Sequence, residues 1–89
     1  MYRVMWGPEN IATISLVYDG LNDHDREQLM IAVESLDAAL ADDPLIVGES
    51  RDSPFARLAI ERPLMVAYRV EVQDQVVRVS GVKYLRGKA

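Results

Sequence analysis

Apolar and polar positions follow two different periods along the chain, and the change of period divides it. Met1-Tyr2-Arg3-Val4-Met5-Trp6 is a short apolar and aromatic run ending at Gly7-Pro8, which predicts a first strand. Pro8 suits the first turn of a helix, where its missing N–H is not required, and Glu9 favours the positive end of the helix dipole. Ile11, Ile14, Val17, Tyr18 and Leu21 then recur at helical spacing, and Gly20 with Leu21-Asn22-Asp23 closes the helix. The next segment is the most regular of the chain. Leu29, Val33, Leu36 and Leu40 fall on one helical face, opposite Arg26, Glu27, Glu34 and Asp37. Asn22, Asp23 and Asp25 offer N-caps, Asp25 and Gln28 have the capping-box spacing, and Pro44 ends the helix.

Beyond Pro44 the period falls to two. Leu45 to Pro54, with Gly48, Ser50, Asp52 and Ser53, reads as a linker. Strands are predicted over 55–60, 64–72 and 76–84, with turns at Glu61-Arg62-Pro63 and Gln73-Asp74-Gln75. In the middle strand Leu64, Val66, Tyr68, Val70 and Val72 share one face, the natural floor for the helices. Met65, Ala67, Arg69 and Glu71 share the other. The expected order is β-α-α-β-β-β, an α+β domain with a helical hairpin packed on one face of a mainly antiparallel sheet. Residues 1–89 read as one domain.

Composition narrows the possibilities further. Eighty-nine residues suffice for one core and not for two, and 49% hydrophobic content is that of a globular chain rather than a disordered or collagen-like one. With no cysteine, disulfide scaffolds, thiolate zinc sites and thiol nucleophiles are excluded. The longest apolar run, Leu64 to Tyr68, is far short of a membrane span, and the first residues carry no signal-peptide pattern, so a cytoplasmic protein is expected. The net charge of −4 is unevenly placed. Residues 1–44 hold two bases and nine acids, and residues 45–89 hold eight bases and five acids. From Gln75 onward there are four bases, Lys88 among them, and no acid. Such asymmetry can mark a site for an anionic partner on the basic side, or simply a mixed surface.

Few motifs carry chemistry. His24 stands alone between Asp23 and Asp25, residues that read as helix caps, so neither a metal nor a cofactor is expected. No serine has an activating context, and the five glycines never group into a phosphate-binding loop. What remains is the basic set of the sheet. Strand alternation places Arg57 and Ala59 away from the helices, with Met65 and Arg69 on the same face of the next strand. Arg78 and Tyr84 share parity in the last strand, with Lys83 and Arg86 near its end. Converging guanidinium groups bind phosphate and can stabilise a phosphorane-like transition state without metal. A tyrosine can stack on a base or act as a weak proton donor. Arginines on the solvent face of a sheet are also ordinary surface residues.

Trp6-Gly7-Pro8-Glu9 opening the first helix, Leu36-Asp37-Ala38-Ala39-Leu40 closing the second, and Gly48-Glu49-Ser50-Arg51 leading into the sheet together resemble the RelE/ParE superfamily of bacterial toxins. Pro63-Leu64-Met65-Val66-Ala67-Tyr68-Arg69-Val70 and Gln75-Val76-Val77-Arg78-Val79 look like that family's paired central strands. The resemblance implies a toxin of a type II toxin–antitoxin pair, silenced by a cognate antitoxin that wraps its surface. RelE-type members cut mRNA on the ribosome without a metal, and ParE-type members poison DNA gyrase. The cutting members carry Lys and Arg on the concave sheet face and a Tyr or His near the C-terminus. By that resemblance Arg57, Arg69, Arg78, Lys83, Tyr84 and Arg86 are the candidate catalytic residues. Ala59 stands where a second base, and Met65 where a central-strand Arg, would be expected. This incomplete set favours a toxin-like protein that acts by binding, ParE-like or with a decayed nuclease site, and leaves endoribonuclease activity as the alternative. The third reading is an unrelated α+β interaction domain, a homodimer through its valine-rich last strand.

Overall fold

The computed structural model describes residues 1–86; Lys88, one of the four bases after Gln75, lies outside them. Strand β1 (Arg3–Trp6) leads into helices α1 (Pro8–Asp19) and α2 (Asp23–Asp42), then into a single turn of helix α3 (Pro44–Val47). Four strands follow: β2 (Glu49–Ser53), β3 (Ala56–Glu61), β4 (Leu64–Glu71) and β5 (Val76–Tyr84). They form one sheet in the order β1-β5-β4-β3-β2, antiparallel except for the parallel pair β1–β5. The α+β class and the expected elements hold, with two additions. The segment read as a linker folds into α3 and β2, and β2 pairs with β3. Its residues, Glu49-Ser50-Arg51-Asp52-Ser53, are charged, exposed and interrupted by a register shift, which suits the edge of a sheet. The valine-rich last strand is flanked by β1 along Val76–Val79, so over that stretch it is not an edge.

Local chemistry explains the helix ends. Of the possible caps of α2, Asn22 does the capping, its side-chain oxygen accepting the Asp25 N–H at 2.8 Å. Helix α1 has no base in its last turn. Arg26 of α2 supplies one, donating to the carbonyls of Tyr18 and Asp19 at 2.8 and 3.0 Å and lying over the Tyr18 ring. At the other end of α1, the Asn10 amide donates to the Val79 carbonyl at 3.0 Å and ties the helix to β5.

The core lies between the helices and one face of the sheet. Leu29, Ala32, Leu36 and Leu40 of α2 meet Ala59, Leu64, Val66, Tyr68, Val70, Val77 and Val79. The middle strand thus uses the face its alternation predicts, except that Val72 lies past the strand end and is exposed. Helix α1 covers the same side over β5 but has no buried residue of its own.

Candidate functional site

The sheet has one face under the helices and one open face, and cross-strand register sorts the candidate side chains between them. Residues directly opposite in a ladder point to the same side. Arg69 faces Arg78, Met65 faces Lys83, and Arg78 faces Met5 of β1. All lie opposite in sense to the buried Val66 and Tyr68, so they belong to the open face. Arg3, which faces Val76, joins them. The open face therefore carries Arg3, Arg69, Arg78 and Lys83 set among Met5, Leu58, Ile60 and Met65. Arg78 donates to Glu71 at 2.6 Å, which relieves its cross-strand repulsion with Arg69. Among the described residues Arg69 and Lys83 have no ion-pair partner.

Two of the expected neighbours are elsewhere, and the register says why. Arg57 pairs with Tyr68 and Ala59 with Val66, so both lie on the helix side rather than away from it. Ala59 is core, and its small side chain lets α2 approach β3. The Arg57 guanidinium turns toward the β2 end of the chain, donating to the carbonyls of Pro54, at 2.9 Å, and of Gly48. Beside it the buried Tyr68 hydroxyl donates to the Pro44 carbonyl at 2.7 Å. Burial pushes the Tyr68 phenol above its ordinary value, and the adjacent Arg57 guanidinium and Gly48 backbone offset this only in part. The arrangement needs a glycine at 48. A Cβ there would sit 2.5 Å from the Leu58 carbonyl oxygen and 2.8 Å from the Tyr68 hydroxyl.

Tyr84 is the second exception. Alternation alone gives it the parity of Arg78, but β5 carries an irregularity opposite Ala67 and Tyr68: Gly81 and Val79 are the partners, and Ser80 is skipped. One extra residue reverses parity beyond it. Tyr84 consequently pairs with Leu64 and packs against the core, while Lys83 comes to the open face. Tyr84 and Arg86 line a cleft of about 560 Å³ with Leu16, Val17, Gly20, Leu21 and Asp25, at the turn between the helices. The six candidates are thus split. Arg69, Arg78 and Lys83 share the open face, Arg57 braces the β2–β3 end, and Tyr84 and Arg86 occupy the terminal cleft.

Sequence reasoning missed Arg3 and Met5, which reach the open face because β1 adds in parallel to β5. The alternation of Val4 and Trp6 with Arg3 and Met5 carries that signal, but only the strand pairing shows which bases they join. Among the described residues no group of three His, Asp or Glu side chains is placed to hold a metal ion. No helix of the described residues is long and apolar enough to cross a membrane.

The solved RelE toxin chains share this fold, in which a helical hairpin lies on one side of a mixed sheet that here has five strands. The isolated Escherichia coli RelE toxin superposes with a TM-score of 0.66 at 20% identity, over 99% of this chain and 88% of that one. In the intact E. coli RelBE toxin–antitoxin complex the match has a TM-score of 0.64 at 20% identity, over 98% of this chain and all of that one. The RelBE2 toxin–antitoxin complex of Mycobacterium tuberculosis gives 0.65 at 21% identity, over 93% and 96% of the two chains. No protein-family model and no curated protein sequence matches the chain.

Proposed function

We propose that this protein is the toxin-like component of a type II toxin–antitoxin pair and acts by binding a macromolecular target through the open face of its sheet. The fold shared with RelE chains seen with their antitoxins supports the class. The observation that carries the mode of action is the division of the basic set. Arg57 is engaged with two backbone carbonyls and Tyr84 with the core, so neither faces the open side with Arg69, Arg78 and Lys83. What the open face offers is a mixed surface of guanidinium, ammonium and apolar groups, the composition of a protein-binding patch. A cognate antitoxin segment lying across this face as a helix or an added strand neutralises it.

The second reading is metal-independent cleavage of mRNA on the ribosome, and Arg69 and Lys83 favour it as bases free to hold phosphate. Induced expression separates the two. Growth arrest with intact mRNA, weakened by Arg69→Ala combined with Lys83→Ala and relieved by a co-expressed antitoxin, is the expected result. Arrest accompanied by cleaved mRNA establishes the nuclease instead. Arrest unchanged by the double variant removes the open face from the mechanism.

A further inference from the structure

The two sides of the molecule both expose apolar side chains, but they carry opposite charge. On the open face of the sheet Met5 and Ile60 are 40% and 56% exposed, among Arg3, Arg69, Arg78 and Lys83. The register puts two acids there: Glu71, which holds Arg78, and Glu49, opposite Leu58. On the other side, helices α1 and α2 leave a groove of about 570 Å³ above Trp6. Ile11, Ile14, Tyr18, Met30 and Val33 line it, and Ile11 is 52% exposed. Its charged residues are Asp19, Glu34 and Asp37, with no base among them. Residues 8–42 as a whole hold eight acids and one base. A sheet accepts a helical layer on either face, and this one has its own helices on one side only.

We infer that the chain associates head to tail with a second copy of itself, the helical groove of one copy seated on the open sheet face of the next. Charge selects this pairing. Groove against groove would bring the acids of both copies together, and open face against open face would oppose two sets of bases. The mixed pairing alone sets acids beside bases, and it covers Ile11, Met5 and Ile60 in the same step. Among the described residues Asp19 and Glu34 have no ion-pair partner within the chain, and neither do Arg3, Arg69 and Lys83. The two faces of one copy lie on opposite sides of the sheet and cannot meet, so their attraction is available only between copies. Because the surfaces in contact differ, the end copies keep one free groove and one free open face, and growth continues unless the rotation closes a ring. On the reading of the open face proposed above, each contact also masks one target-binding surface.

The test is analytical sedimentation of the purified full chain. Its average mass should rise above that of the monomer between about 1 μM and about 1 mM. Raising the ionic strength from about 0.05 to about 0.5 M should lower that mass, because salt screens exposed charge pairs. Ile11→Asp spoils the groove and Ile60→Asp the open face; both positions are exposed, and unchanged circular dichroism checks that the variants fold. Each variant alone should stay monomeric, since every contact needs one face of each kind. Mixed in equal amounts, they should form a one-to-one dimer and nothing larger. The open face of the Ile11→Asp chain receives the groove of the Ile60→Asp chain, and the two faces left over are the spoiled ones. A two-fold contact through either face cannot give this pattern, because one of the two variants would still dimerise alone. A single variant that self-associates, or a mixture that stays monomeric, would overturn the inference. So would association that salt leaves unchanged or strengthens. A chain monomeric at every concentration would assign both faces to other partners and overturn it as well. Mass in solution is read without growth arrest, so this inference and the toxin reading fail separately.

Discussion

Replacing Arg57 by alanine separates a bracing role from a role at the target. The guanidinium donates to two backbone carbonyls, those of Pro54 and Gly48, and so fastens the start of β2 and the β2–β3 turn to β3. Hydrogen bonds from a charged donor contribute about 1.5–3 kcal/mol each when shielded from water. The Arg57 side chain is only partly buried, so about 1 kcal/mol for each bond is the appropriate discount. Loss of its aliphatic stem beside Tyr68 adds a similar amount. The total, about 2–3 kcal/mol, corresponds to a melting temperature lower by about 10–20 °C in a domain of this size. Arg57→Lys should fall between wild type and alanine, because one ammonium cannot copy the two-carbonyl geometry of a guanidinium. Thermal and urea unfolding followed by circular dichroism gives the answer. Arg69→Ala, on the open face, is the control and should stay within about 0.5 kcal/mol of wild type. If Arg57→Ala melts with the wild type yet loses growth arrest, Arg57 belongs to the target site and the bracing argument fails.

Three further outcomes follow from the same geometry. Gly48→Ala forces a methyl group against the Leu58 carbonyl and the Tyr68 hydroxyl and should cost about 2–3 kcal/mol, read from the urea midpoint; wild-type stability would show that the β2 end can move aside freely. Gln75 sits at φ 54° in the β4–β5 turn, a conformation glycine adopts without strain, so Gln75→Gly should raise stability by about 0.5–1 kcal/mol, and a lower urea midpoint would count against this. Because burial raises the Tyr68 phenol above 10.0, the folded state keeps a proton there that the unfolded chain gives up. Stability from this group is therefore complete below pH 10 and lost as pH rises through the folded value. Tyr68→Phe should flatten that alkaline decline while lowering stability at neutral pH by about 1 kcal/mol, the hydrogen bond to Pro44 being gone. An unchanged alkaline slope would assign the decline to other groups.

Some of this protein is determined by the sequence alone. The two helices are readable because their apolar residues repeat with the helical period and their ends carry Pro8, Gly20, Asn22 and Pro44. The long middle strand is readable because one alternating set is almost wholly apolar, and that set must face the helices whatever its neighbours are. The β3 strand lacks such a contrast. Leu58 and Ile60 alternate with Arg57 and Ala59, and hydrophobicity alone turns the first pair inward. Pairing with β4 decides otherwise, because Arg57 must follow Tyr68 and Ala59 must follow Val66 once the register is set. In β5 the skipped Ser80 reverses every side chain after it, sending Lys83 outward and Tyr84 inward; Gly81 and the change of apolar parity from Val77 and Val79 to Val82 and Tyr84 mark the position, but only the pairing with β4 fixes which residue is skipped. The linker acquired a strand because β3 offered it an edge, a partner brought close only by folding. Periodicity is a property of one segment and survives in the sequence. The face a side chain finally occupies is a property of two paired segments, so the tertiary structure alone assembled Arg3, Arg69, Arg78 and Lys83 and set Arg57 apart from them.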